Sequence, residues 1–165
     1  RTGIGLLVLA DFDTVEPSNL NRQCYGVSHL GMQKTDACAN QIREINPLVQ
    51  VQTYPHRITA RNAVSCFGAC DIVCEAFDNP CAKAELINAI LEMEKGPILV
   101  SGSGMAGMDS ANRIHTRRAL RRLYVCGDET SEAREGVGLM APRVTVCAGH
   151  QANMALRLLM GETEP

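Results

Sequence analysis

The chain has 165 residues, is 45% hydrophobic and 21% charged, and carries a formal charge of −2 at pH 7. That length suits one domain. The composition excludes bulk disorder, collagen and a coiled coil, and the balanced charge offers no global field for nucleic acid, so no nucleic-acid partner is expected. No apolar run approaches the roughly 18 residues of a membrane helix, and no signal peptide precedes Ile4–Ala10; a cytoplasmic location without membrane contact follows. The eight cysteines contain no C-x-x-C pair, which points to reduced thiols and to no zinc site. The four histidines show no ligand spacing.

Leu6–Ala10 is a short apolar run that ends in Asp11-Phe-Asp13, with Pro17 beyond it. It reads as a buried strand of a parallel sheet with acids at its carboxyl end. Residues 14–30 read as a loop. A helix follows from Gly31 to Asn46-Pro47, its apolar face formed by Ala37, Cys38, Ile42 and Ile45. Val49–Tyr54 alternates as a half-buried strand, and a short helix fills 60–69. Asp71–Ala76 is a second buried strand. Asn79-Pro80 starts a helix as N-cap and N1 proline, with Leu86, Ile87, Ile90 and Leu91 inward and Lys95-Gly96-Pro97 as its stop. Ile98–Val100 is the next strand. Ala111–Thr116 and Leu120–Cys126 read as an antiparallel hairpin, residues 127–138 as a polar loop, and Pro142 opens a last helix that ends near Gly161. The alternation gives an α/β fold: a doubly wound, Rossmann-like, mostly parallel sheet with an antiparallel hairpin extension.

Ligands of such sheets bind beyond the carboxyl ends of the strands, where Asp11, Asp13 and Asp78 fall. Asp11 or Asp13 can accept ribose hydroxyls; the alternative is an aspartate that caps the turn before Pro17. Arg22 and Lys34 form a cation pair suited to polyphosphate. A lysine in the first turn of a helix opposes the macrodipole, which hints at a ligand; the alternative is a solvated lysine. Asp78 can hold Mg²⁺, which takes one or two carboxylates plus phosphate oxygens, or can simply stabilise the start of its helix. The Ser101–Gly107 segment reads as a turn that allows close backbone approach, not as a phosphate loop. The basic run Arg113, His115, Arg117, Arg118, Arg121 and Arg122 reads as a solvated face or as a grip for an acidic protein partner.

Taken together, LADFDTVEPSNLNRQ (9–23), GMQK (31–34), INP (45–47), EAFDN (75–79), SGSGMAG (101–107), RRLYVCGD (121–128) and LMAPRV with HQANMALRLL (139–159) resemble the adenylation domain shared by ubiquitin-activating enzymes and their bacterial relatives ThiF and MoeB, the short form of ThiF above all. The resemblance implies an ATP-dependent nucleotidyltransferase. It would adenylate the C-terminal glycine carboxylate of a small β-grasp sulfur carrier of the ThiS type, in thiamine biosynthesis. It implies Asp11 as the ribose-binding acid, Asn19, Arg22 and Gln23 as the phosphate segment, Lys34 as the phosphate lysine, Asp78 as the Mg²⁺-associated aspartate, and a homodimer. Some relatives use a cysteine after the hairpin for a covalent intermediate, a role Cys126 could fill. The family's glycine-rich first strand–helix unit would lie upstream of Leu6, so residues 1–165 read as a single adenylation domain, incomplete at its N-terminus, with unpaired edges on the Leu6 and Asp71 strands. The competing reading is a non-catalytic remnant that keeps carrier-binding or dimer surfaces.

Overall fold

A computed structural model describes residues 1–165, which form two compact units, Arg1–Ile58 and Thr59–Pro165. In the first, β1 (Leu6–Ala10) pairs in parallel with β2 (Gln50–Tyr54), Leu6 opposite Gln50 and Ala10 opposite Tyr54. Between them runs α1 (Lys34–Ile45), which packs on both strands. The buried apolar set of this unit includes Val15, Ala37, Ala39, Val49 and Ile58. The expected buried strand is therefore only partly covered: β1 has one strand neighbour, and Leu6 is 46% exposed. The buried face of α1 is also displaced from the expected one. Lys34, Thr35, Ala37 and Ala39 are buried, whereas Ile45 is exposed, so burial concentrates in the N-terminal half of the helix.

The second unit holds α2 (Ala60–Phe67), β3 (Ile72–Glu75), α3 (Pro80–Leu91), β4 (Ile98–Gly102), β5 (His115–Leu120), β6 (Leu123–Gly127) and α4 (Ala141–Leu159). Its sheet has the order β3-β4-β6-β5; β3, β4 and β6 are parallel and β5 runs antiparallel to β6. The hairpin is shorter than expected, since Ala111–Arg113 is a 3-10 turn. The Ser110 hydroxyl accepts the Asn112 N–H there and stops extension of the strand. Central β4 reads as a continuous buried run and edge strand β5 as a mostly exposed one, as burial on both faces against one requires. One core cluster joins sheet and α4: Val100, Ile114, Tyr124, Cys126, Cys147, Met154 and Leu158. The fold is mixed α/β and mostly parallel. No helix is long and apolar enough to cross a membrane.

Several anchors in this unit are polar. Asn79 Oδ1 accepts the Ala82 N–H at 3.0 Å and caps α3, with Pro80 at its first position. At the other end of α3, the Arg122 guanidinium donates to the carbonyls of Leu91 at 2.9 Å and Met93 at 2.5 Å, and to those of Ile90 and Pro97 at 3.3 Å. It thereby satisfies carbonyls the helix leaves orphaned. Glycines of the 101–107 turn and of the end of β6 serve packing: a Cβ on Gly104 would lie 2.3 Å from Asp128 Oδ1, and one on Gly127 1.6 Å from the Ser103 carbonyl. The chain segments after β4 and β6 can lie this close only as glycine.

Candidate nucleotide site

In the first unit the chain turns sharply after β1. Asp11 N–H makes the last ladder bond, to Tyr54 O at 3.3 Å, and Asp11 Oδ1 then accepts the Asp13 N–H at 2.9 Å. Thr14 bridges Gln33, Val15 N–H donates to Met32 O at 2.8 Å, and Lys34 N–H donates to Asp13 O at 3.0 Å. This strap lays the start of α1 against residues 13–15 and buries Val15. It also brings Lys34 to the carboxyl end of β1. The Lys34 ammonium lies 2.8 Å from Asp13 Oδ2 and 3.8 Å from Asp11 Oδ2. Only 8% of Lys34 is exposed, so it is not the solvated lysine that a helix start usually carries. A buried ammonium requires such partners. From the sequence Asp13 reads as a ribose acid or a turn cap; its pairing with Lys34, 21 residues away, needs the fold. Phe12, Asp13, Thr14, Glu16, Asn19 and Lys34 line a cleft of about 400 Å³.

Asn19 is buried in a 3-10 turn over Pro17–Asn19, where its Oδ1 accepts the Glu16 N–H at 2.9 Å. Its carbonyl accepts the N–H groups of Arg22 at 3.2 Å and Gln23 at 2.9 Å. Asn19 thus organises the loop that carries both residues. The Arg22 guanidinium donates to Ser18 O and Asn21 Oδ1, each at 2.9 Å, and so folds back on its own loop. Tyr25 OH donates to Lys34 O at 3.2 Å, and burial pushes its phenol well above the ordinary range, so it stays a donor. The Arg57 guanidinium stacks 4.5 Å from the centre of the Phe12 ring. The side-chain oxygens of Gln33 and Thr35, on either side of Lys34, are buried without a hydrogen-bond partner.

In the second unit, Asp78 lies exposed past the carboxyl end of β3, directly before the Asn79 cap. Cys126 does not meet the needs of a nucleophile. It is fully buried in the core cluster, and burial pushes its thiol upward, outweighing the Thr116 hydroxyl 3.4 Å away. Reactive thiols are exposed and lowered instead. The basic run is mostly committed within the unit: Arg117 pairs with Glu129 at 2.5 Å, Arg113 with Asp109, and Arg122 with the end of α3.

Two buried networks escaped sequence reasoning. Asp128 pairs with Arg143, and both are buried. Burial raises the Asp128 carboxyl, but N–H groups of Ser131 and Thr130, the Ser131 hydroxyl and Arg143 outweigh it and hold the group well below the ordinary range. Glu75, with its side chain fully buried, receives Lys83 at 2.6 Å, Ser101 Oγ at 2.5 Å and the Phe77 N–H at 2.6 Å. A charged residue inside the apolar run DIVCEA was the available signal for the second network.

The whole chain, residues 1–165, matches the model of the ThiF family. It is 33% identical over 171 residues to the adenylyltransferase and sulfurtransferase uba4 of Pyricularia oryzae, covering 95% of this chain and 34% of that protein. It is 31% identical over 166 residues to the adenylyltransferase and sulfurtransferase MOCS3 of Drosophila virilis, covering 96% of this chain and 36% of that protein. The chain thus spans about a third of the length of these curated relatives. Among solved structures, the Escherichia coli tRNA N6-threonylcarbamoyladenosine dehydratase TcdA, in complex with ATP, superposes with a TM-score of 0.85 at 22% identity, covering 97% of this chain and 77% of that one. E. coli MccB with ATP gives 0.69 at 17% identity, covering 99% and 51%. The strand–acid–loop–lysine strap, the Rossmann-like topology and the full-length match place this chain in the ThiF family.

Proposed function

We propose that the chain is an ATP-dependent adenylyltransferase acting on the C-terminal carboxylate of a small β-grasp sulfur carrier. The observation that carries this reading is the buried Lys34 ammonium, held at the carboxyl end of β1 on the wall of an open cleft. Asp11 and Asp13 there can accept ribose hydroxyls. Arg22 and Lys34 neutralise phosphate charge as the carrier carboxylate attacks the α-phosphorus and pyrophosphate leaves. The α-phosphorus–oxygen bond to pyrophosphate breaks as the acyl–phosphate bond forms. No general base is needed, because a carboxylate is ionised at neutral pH. Asn19 and Gln23 shape the phosphate-facing loop.

No three His, Cys, Asp or Glu side chains cluster into a metal cage. The exposed Asp78 carboxylate fits a Mg²⁺ that keeps its waters and phosphate ligands. Bound there, Mg²⁺ would offset triphosphate charge. Cys126 has no part in this mechanism. The resemblance to short ThiF favours a ThiS-like carrier of thiamine biosynthesis and a homodimer, and eight unpaired cysteines suit a reducing cytoplasm.

ATP–pyrophosphate exchange with a β-grasp carrier tests the reading, on this chain and on one extended upstream by a glycine-rich strand and helix. Lys34→Ala and Asp78→Ala should each lower exchange by about 10²-fold or more, the scale of losing one transition-state charge partner. Exchange absent from both parent chains would favour a non-catalytic carrier-binding role.

A further inference from the structure

We propose that Glu75 and Lys83 form a positioning pair that fixes the Asp78 carboxylate. The assignment rests on the adenylation reading above. Glu75 closes β3, and its side chain has no solvent exposure. Lys83, in the first turn of α3, donates to both Glu75 oxygens at 2.8 and 2.6 Å and to the Gly102 carbonyl at the end of β4 at 2.8 Å. Ser101 Oγ donates to Glu75 Oε2 at 2.5 Å. From α4, Gln151 Nε2 donates to the carbonyls of Glu75 at 2.9 Å and Val100 at 3.0 Å. The ends of β3 and β4 and the start of α3 are thereby tied to a single carboxylate.

Asp78 lies inside this knot. On one side, the Phe77 N–H donates to Glu75 Oε1 at 2.6 Å; on the other, Asn79 Oδ1 holds the Ala82 N–H at 3.0 Å. Residues 76–79 are thus anchored at both ends, and the exposed Asp78 side chain between them makes no hydrogen bond or ion pair with the protein. Buried ion pairs are commonly no more stabilising than apolar replacements. A pair of this kind that also grips the backbone beside an exposed carboxylate is accounted for by orientation. Partners at one remove from a metal ligand typically control affinity or activity by 10–100-fold.

The test uses the full chain with Mn²⁺ as probe, titrated by electron paramagnetic resonance in the presence of ATP, together with hydrogen exchange at residues 76–79. Glu75→Gln is the first variant; Glu75→Leu/Lys83→Met/Ser101→Ala, an apolar replacement of the network, is the second. Both should raise the Mn²⁺ half-saturation by about 10-fold or more and speed exchange at 76–79. The apolar variant should keep a melting temperature near that of the parent. Unchanged Mn²⁺ affinity in a folded variant overturns the positioning role while leaving the adenylation reading intact. Mn²⁺ binding in the parent chain that survives Asp78→Asn overturns the metal role of Asp78 itself, and this assignment with it.

Discussion

Asp128 and Arg143 show how much a single buried pair can determine. Both are almost fully buried and tie the segment after β6 to the first turn of α4. The Asp128 carboxyl is depressed in the fold and ordinary, near 3.9, in the unfolded chain. Its contribution to stability is therefore fully present above about pH 5 and lost as the pH falls through the acid range. Asp109, held down chiefly by the Ser110 N–H, and Glu129, held down chiefly by Arg117, shift the same way, but through exposed pairs that solvent screens. Asp128→Asn leaves Arg143 buried beside a neutral partner and should cost about 3 kcal/mol at pH 7. The stability gap between parent and variant, from denaturant melts, should begin to narrow below about pH 5 and be clearly smaller at pH 3, still narrowing as the pH falls further. A constant gap across that range would remove Asp128 as the titrating group.

At the scale of elements, helix ends are fixed by partners from distant segments. The C-terminal carbonyls of α3 are satisfied by Arg122, about 30 positions on in the hairpin turn. A sequence reader sees that arginine as one of a basic run. Arg122→Ala should lower stability by about 2 kcal/mol through unsatisfied carbonyls, or about 4–8 °C in melting temperature for a chain of this size. Arg122→Lys should recover only part of it, since an ammonium lacks the planar fork that reaches several carbonyls together. Equal melting temperatures for parent and Arg122→Ala would show that water caps α3 equally well. The 101–107 turn makes the same point: Gly104 within it passes close by Asp128, and Gly127 at the end of β6 lets Ser103 pass close by, a constraint that no local pattern displays.

At the scale of the whole molecule, each of the two sheets has a terminal strand bonded on one side only. β1 pairs with β2 alone and β3 with β4 alone. In a parallel ladder the N–H groups alternate between edges. Gly5 O and Asp11 N–H both bond toward β2, so Leu7 and Leu9 share that direction while Val8 and Ala10 point to the open edge. Hydrogen exchange on the 165-residue chain should find the Val8 and Ala10 amides fast and those of Leu7 and Leu9 protected. Uniform protection along β1 would mean that another strand, from a second copy or a carrier, occupies the edge. Such edges are what natural sheets cover to prevent association.

The order and type of elements were legible in the sequence because each rests on local physics. The apolar run 6–10 became β1 with the expected bounds, Asn79-Pro80 capped α3 as its residue types require, and Pro142 lies in the first turn of α4. The acids at the strand ends were legible for the same reason: a doubly wound sheet exposes those ends. What only the tertiary structure decided depended on pairs far apart in the chain. It showed that Lys34 is buried against Asp13, and that Glu75 is gripped by Lys83 and Ser101. It also showed that Arg122 is a helix cap rather than part of a docking face, and that Cys126 is a core residue rather than an accessible thiol. A charge or thiol takes its role from the partners and solvent the fold leaves it, and those are set by contacts across tens of residues.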